Sequence, residues 1–175
     1  MKALIILAEG FEDIEAFAVI DVLDRAGIEV VKAGLTSKIV TSAHGVRVMA
    51  DCLLSAVAPA DILILPGGPG YRNLLNSAAV IKTVRQFNGE GKMIAAICAA
   101  PVVLAEAGVL NDKTAVVFPG LEKNIPRVRD AKVLASGNII TAKGPGVAIE
   151  FGLMIVERTV GKKVAAKLRQ SMIVG

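Results

Sequence analysis

The chain is poor in the side chains that stack on bases or hold metals: no tryptophan, one tyrosine, five phenylalanines, one histidine and two cysteines in 175 residues. Single-strand nucleic-acid binders need flat rings, and an aromatic content of 3% argues against that class. A zinc cage needs four donors; one histidine and the separated Cys52 and Cys98 cannot supply it, nor do two cysteines make a disulfide framework. No apolar run approaches the roughly 18 residues of a membrane span. The opening run Met1 to Leu7 is too short for a secretory leader with its cleavage site. A soluble, cytoplasmic protein in a reducing compartment is expected.

Hydrophobic residues are abundant instead, at 54% against 21% charged, which excludes disorder. They favour a deep interior, or surface buried against a second copy, and the core must be built from Ala, Val, Ile and Leu. Net charge is +4 but uneven: residues 1–87 hold 8 Lys and Arg against 9 Asp and Glu, and residues 88–175 hold 12 against 7. The excess gathers in Lys123 to Lys132 and Lys162 to Arg169. A nucleic-acid patch would look like this, but lysines on a solvated terminal helix account for it more simply, and no nucleic-acid partner is expected.

Lys2 to Ala8 reads as a strand covered on both faces, and the acid-rich Glu12-Asp13-Ile14-Glu15 opens a helix that ends at Gly27. Ile28 to Ala33 is a second strand, and two alternating stretches in Ile39 to Asp51 flank His44-Gly45 as a hairpin. Further strands are expected at Ile62 to Leu65, Met93 to Cys98, Thr114 to Phe118 and Asn138 to Ala142. Helices are expected from a Ser77 cap to Asn88, from Ala99 to Ala107, from Val147 to Val160 and from Lys162 to Arg169. The alternation predicts an α/β three-layer sandwich, flavodoxin-like, with a mostly parallel sheet, helices on both faces and a small β-hairpin. No repeat or linker interrupts residues 1–175, which read as one domain.

Sites in such sheets gather beyond the carboxyl ends of the strands. Cys98 stands where a buried strand turns directly into a helix, between Ala96 and Ala100, as in a nucleophile elbow. The helix N-terminus beyond it would favour thiolate; a buried apolar cysteine is the competing reading. Leu65-Pro66-Gly67-Gly68-Pro69-Gly70 can bring backbone amides close to a developing oxyanion, or is simply a tight turn. Glu9, Glu12 and Asp13 read as solvated. Glu15 is either a partly exposed helix acid or a carboxyl kept protonated by apolar neighbours and able to donate to a thiolate. His44 is the only histidine available to a Cys–His pair, and its turn position favours a plain hairpin residue. Cys52 lacks a basic neighbour and reads as structural.

Taken together, Leu7 to Glu15, Asp21 to Gly27, Ile64-Leu65-Pro66-Gly67-Gly68, Ala95 to Pro101 and Lys143-Gly144-Pro145-Gly146 with Glu150-Phe151 resemble the ThiJ/PfpI superfamily. The likeness runs along essentially the whole chain and is nearest the branch of the parkinsonism-associated deglycase. It implies Cys98 as nucleophile, Glu15 as its protonated partner, the amides of Gly68 and Ala99 as oxyanion hole, and Gly67, Arg25 and His44 around a substrate or anion. It also implies a homodimer and no cofactor or metal. The activities it implies are glyoxalase chemistry without added cofactor, or hydrolysis of methylglyoxal adducts, in stress protection. A redox sensor or chaperone-like protein with an oxidisable Cys98 and little turnover is the alternative.

The sequence also departs from that pattern. Phe118 stands where many relatives place a histidine, and Ala99 stands where the peptidase branch has one, so peptidase activity is not expected. His44 replaces a hairpin arginine; carried across a dimer to the partner's site, it would supply the missing acid or base.

Overall fold

The computed structural model describes residues 1–175. Strand β1 (Lys2–Leu7) is buried at every position after Lys2, as an apolar run covered on both faces must be. Helix α1 (Asp13–Arg25) follows, with Asp13 and Glu15 at the positive end of its dipole. After β2 (Glu29–Gly34) the chain makes a separate hairpin of β3 (Ile39–Thr41) and β4 (Arg47–Met49), with Val40 opposite Val48. A short β5 (Cys52–Leu53) and the fully buried β6 (Ile62–Leu65) come next. Then follow α2 (Tyr71–Leu75) and α3 (Ala78–Gly89), the latter capped by Ser77, whose hydroxyl oxygen accepts the Val80 N–H at 3.3 Å. The remainder is β7 (Met93–Ile97), α4 (Pro101–Glu106), β8 (Val133–Ser136), β9 (Ile139–Ala142), α5 (Ala148–Thr159) and α6 (Lys162–Ser171).

The seven-stranded sheet has the order β5-β2-β1-β6-β7-β9-β8, parallel except for β8 against β9. Its two faces carry nearly equal buried clusters, 24 and 23 residues, so helices seal both sides equally. One cluster draws on α1, α5 and α6; the other draws on α2, α3 and α4. Gly152 sets the closest helix approach, since a Cβ there would lie 3.0 Å from Val22 of α1. This is the mostly parallel, flavodoxin-like three-layer sandwich and small hairpin expected from the sequence. No helix is long and apolar enough to cross a membrane.

One expected strand is not formed. In Thr114 to Phe118 only Ala115 makes a bridge, to Val128, while the Val116 N–H goes to Thr141 Oγ1 at 2.9 Å and the Phe118 N–H to Cys98 O at 2.8 Å. The last sheet position is taken instead by β8, in a segment whose neighbouring lysines and arginines mask its half-buried apolar residues. The helix after Cys98 also begins later than expected, at Pro101, because Ala99 and Ala100 belong to the turn.

Candidate active site

The sheet order reverses between β1 and β6, and the loops leaving β1, β6 and β7 converge there. Such a switch point opens a crevice because the flanking helices depart to opposite faces. Each loop supplies one component.

After β7 the chain turns through Cys98 at φ +64°, a left-handed conformation that a side chain with a Cβ rarely adopts. Two hydrogen bonds hold it: the Cys98 N–H donates to Ala142 O at 2.9 Å, and its carbonyl accepts the Phe118 N–H at 2.8 Å. The side chain is left 8% exposed at the floor of the crevice.

The loop after β6 explains its glycines. A Cβ on Gly67 would meet Cys98 Cβ at 2.7 Å and Glu15 Oε2 at 2.8 Å; one on Gly68, at φ +74°, would meet Glu12 N at 2.6 Å. The loop is stitched to the segment after β1 by Glu12 N–H to Gly67 O at 3.1 Å and Gly70 N–H to Gly10 O at 2.8 Å. With no side chain at Gly67 or Gly68, the loop brings the Gly68 N–H to the Cys98 sulfur, which the Ala99 N–H also faces.

From the first turn of α1, Glu15 enters this space fully buried. Its Oε2 accepts the Gly67 N–H at 2.8 Å, its Oε1 has no hydrogen-bond partner, and the Cys98 thiol lies beside the carboxyl. Burial pushes the carboxyl up to about 7, against the opposing pull of Cys98 and the Gly67 amide. Burial and the adjacent Glu15 charge push the thiol up to about 12, against the Gly68 and Ala99 amides. The helix N-terminus is expected to favour thiolate; burial and the neighbouring acid act in the opposite direction. The pair is best read as one unit that shares a single proton once pH rises past about 7.

The acids expected to be solvated are engaged. Asp13 accepts from Ser42 Oγ and lies 2.8 Å from His44 Nδ1. Glu9 accepts the Thr41 N–H at 3.1 Å. Asp13 fastens the hairpin to α1, and Glu9 fastens it to the loop after β1. Although burial pushes Asp13 up, Ser42 and His44 hold it below its ordinary value, and the bond to Asp13 raises His44. Glu12 Oε1 lies 3.7 Å from His44 Nδ1 and also lines the crevice, so His44 stands one residue behind the site within its own chain. Glu12, Asp13 and His44 gather one metal-ligand atom each, but His44 Nδ1 is already spent on Asp13.

The crevice has a volume of about 550 Å³. Cys98, Glu15, Gly68 and Ala99 lie together in it, and Gly67 braces them from behind. Arg25 does not join them: it sits ten residues along α1 from Glu15, roughly 15 Å by helical rise, exposed and paired with Asp21 at 2.7 Å. Sequence reasoning missed Tyr71, Arg72 and Leu121 in the walls. For Tyr71 and Arg72 the signal was the Gly-Gly-Pro-Gly turn directly before them; Leu121 arrives from a distant segment and had no local signal.

Comparison with known proteins agrees with this fold. Over 99% of its length the chain is 38% identical to Protein dj-1beta of Drosophila melanogaster, covering 97% of that protein. It is 36% identical to Glutathione-independent glyoxalase DJR-1.2 of Caenorhabditis elegans, over 91% of this chain and 89% of that one. The structure superposes on oxidized Toxoplasma gondii DJ-1 with a TM-score of 0.95 at 38% identity, covering 98% and 97% of the two chains. With the DJ-1/PfpI family model matching residues 1–158 as well, the chain belongs to the DJ-1/PfpI family.

Proposed function

We propose that this protein processes small reactive carbonyls through Cys98, as a glyoxalase that needs no added cofactor or as a deglycase-type hydrolase of methylglyoxal adducts. The observation that carries this reading is the buried Glu15 carboxyl, its Oε1 unpaired, beside a strained cysteine facing two backbone amides. A relative named as a glutathione-independent glyoxalase supports the same class.

The steps follow from the pair's single proton. As Sγ attacks the aldehyde carbon, the thiol proton passes to Glu15, and the new oxyanion is stabilised by the Gly68 and Ala99 N–H groups. Glu15 returns that proton to the oxyanion, which gives a neutral hemithioacetal and frees the carboxylate. Glu15 then moves the aldehyde-carbon proton to the neighbouring oxygen-bearing carbon through an enediol, leaving a thioester of the 2-hydroxy acid. Water cleaves the thioester, releasing the hydroxy acid and restoring the thiol, so the sum is the dicarbonyl plus water. A carboxyl near 7 suits both directions of proton transfer.

The test is conversion of methylglyoxal to lactate. Cys98→Ala should abolish it and Glu15→Gln should slow it strongly; full turnover without Cys98 sinks the reading. The protein is further read as a cytoplasmic, single-domain homodimer. Ile14 at 55% and Phe17 at 38% exposure on α1 support pairing, to be checked by light scattering.

A second reading, redox sensing with little turnover, has its own support in a relative solved in an oxidized form. Mild peroxide should then place two oxygens on Cys98 and none on Cys52. Equal oxidation of both, read by mass spectrometry, counts against it.

A further inference from the structure

Resting on the carbonyl reading, we infer that the crevice over Cys98 selects 2-oxo-aldehydes bearing an aromatic or bulky branched alkyl group in preference to methylglyoxal. The first ground is size: a three-carbon dicarbonyl fills only a small part of about 550 Å³. The second is the wall. Phe118 is 43% exposed although Val117 before it is 3% exposed. Its backbone N–H is tied to the carbonyl of Cys98 itself, so its position is fixed relative to the nucleophile. From behind, the ring rests on Gly144, where a Cβ would approach it to 3.4 Å. Tyr71, Leu121, Pro69 and Pro145 complete an apolar surround.

Charge is scarce here. Glu15 is committed to Cys98 and Gly67, Glu12 lies by His44, and the Arg72 guanidinium rests 5.7 Å from the Tyr71 ring centroid. An apolar substituent covering Phe118 would remove a water-exposed ring from solvent while its aldehyde carbon sits on Sγ. A hydroxyl-rich, sugar-derived substituent would find only the Arg72 guanidinium and the Tyr71 hydroxyl as side-chain donors in a mostly apolar wall, and such adducts should be poorer substrates.

Phenylglyoxal and methylglyoxal provide the test, with initial rates read as mandelate and lactate formed. The wild-type protein should show kcat/KM about tenfold higher for phenylglyoxal, from the added ring contact. Phe118→Ala should lower the phenylglyoxal value about tenfold and the methylglyoxal value less than about threefold. The exposed position of residue 118 spares the core, so folding is not at stake. Equal or better use of methylglyoxal, or a ratio that Phe118→Ala does not move, overturns the inference. If the wild type consumes neither aldehyde faster than Cys98→Ala does, the carbonyl reading fails instead. The crevice is then judged by iodoacetamide alkylation of Cys98 in a Cys52→Ser background. Mandelate should slow it at about one-tenth the concentration of lactate; equal protection overturns the inference.

Discussion

Cys98 and Cys52 are the same side chain on the same scaffold, one just past a strand of the sheet and one within a strand, and nearly everything around them differs. Cys98 follows a central strand at the point where sheet order reverses, with φ +64°, two amides on its sulfur and a buried acid beside it. Cys52 opens the outermost strand β5, half-buried, its backbone paired in ordinary parallel register with Ala33. The residue type contributes little to the contrast. What makes one site different is convergence of three loops, and that convergence strains the backbone and desolvates a carboxyl. An edge strand has a neighbour on one side only and cannot assemble such a cage.

The sharpest way to break this comparison is to remove each thiol in turn. Cys98→Ala should lower lactate formation from methylglyoxal by at least about a thousandfold, the scale expected when a nucleophile is lost. Cys52→Ala should leave it within about twofold. Equal losses would mean that the two environments are chemically equivalent.

The cage itself can be tested at a glycine. In Gly67→Ala the new methyl carbon would lie 2.7 Å from Cys98 Cβ and 3.0 Å from Ile97 O, a backbone atom that cannot swing aside. Overpacking of this kind should cost about 3 kcal/mol in chemical denaturation and abolish turnover. Gly89→Ala, at the end of α3 with nothing within 4 Å of its Cβ, should be neutral or slightly stabilising.

Glu15 should show the cost of the cage as a function of pH. Its folded value, about 7, lies above the ordinary carboxyl value of 4.5. Stability is therefore fully present below about pH 4.5 and is lost as pH rises through 7, because ionisation favours the unfolded chain. Glu15→Gln keeps an oxygen for the Gly67 N–H and cannot ionise. It should be more stable than wild type by about 3 kcal/mol at pH 8.5 and roughly equal to it at pH 4, while turning over poorly. A constant difference across that range would show that the carboxyl is not desolvated.

Much of this was legible in the sequence, and the rest was not for identifiable reasons. The apolar runs Lys2 to Leu7 and Ile62 to Leu65, the Ser77 cap and the His44-Gly45 turn are local signals, and they form as expected. Cys98 was legible because a strand and a helix met with only small residues between them. Glu15 was ambiguous because its burial depends on Gly67, 52 residues away, closing over it. Thr114 to Phe118 has strand composition, yet its amides go to Thr141 and Cys98, a choice that only tertiary placement decides. The thiol's surroundings are half legible for the same reason: the helix N-terminus is visible in sequence, and the desolvation opposing it is not.

The smallest effect is the most diagnostic, because its sign should invert between the two cysteines. In an ordinary strand, alanine is preferred to glycine by roughly 0.5–1 kcal/mol, since glycine loses more backbone freedom on folding. Cys52, inside β5, should follow that rule, with Cys52→Ala more stable than Cys52→Gly. At position 98 the native φ of +64° penalises any residue with a Cβ, and glycine escapes that penalty. Cys98→Gly should therefore be more stable than Cys98→Ala by about 1 kcal/mol. Neither variant has a thiol, so comparing them removes the chemistry and leaves the backbone alone. If alanine is preferred at both positions, the turn at Cys98 holds no strain, and the convergence of loops positions the thiol without distorting the chain.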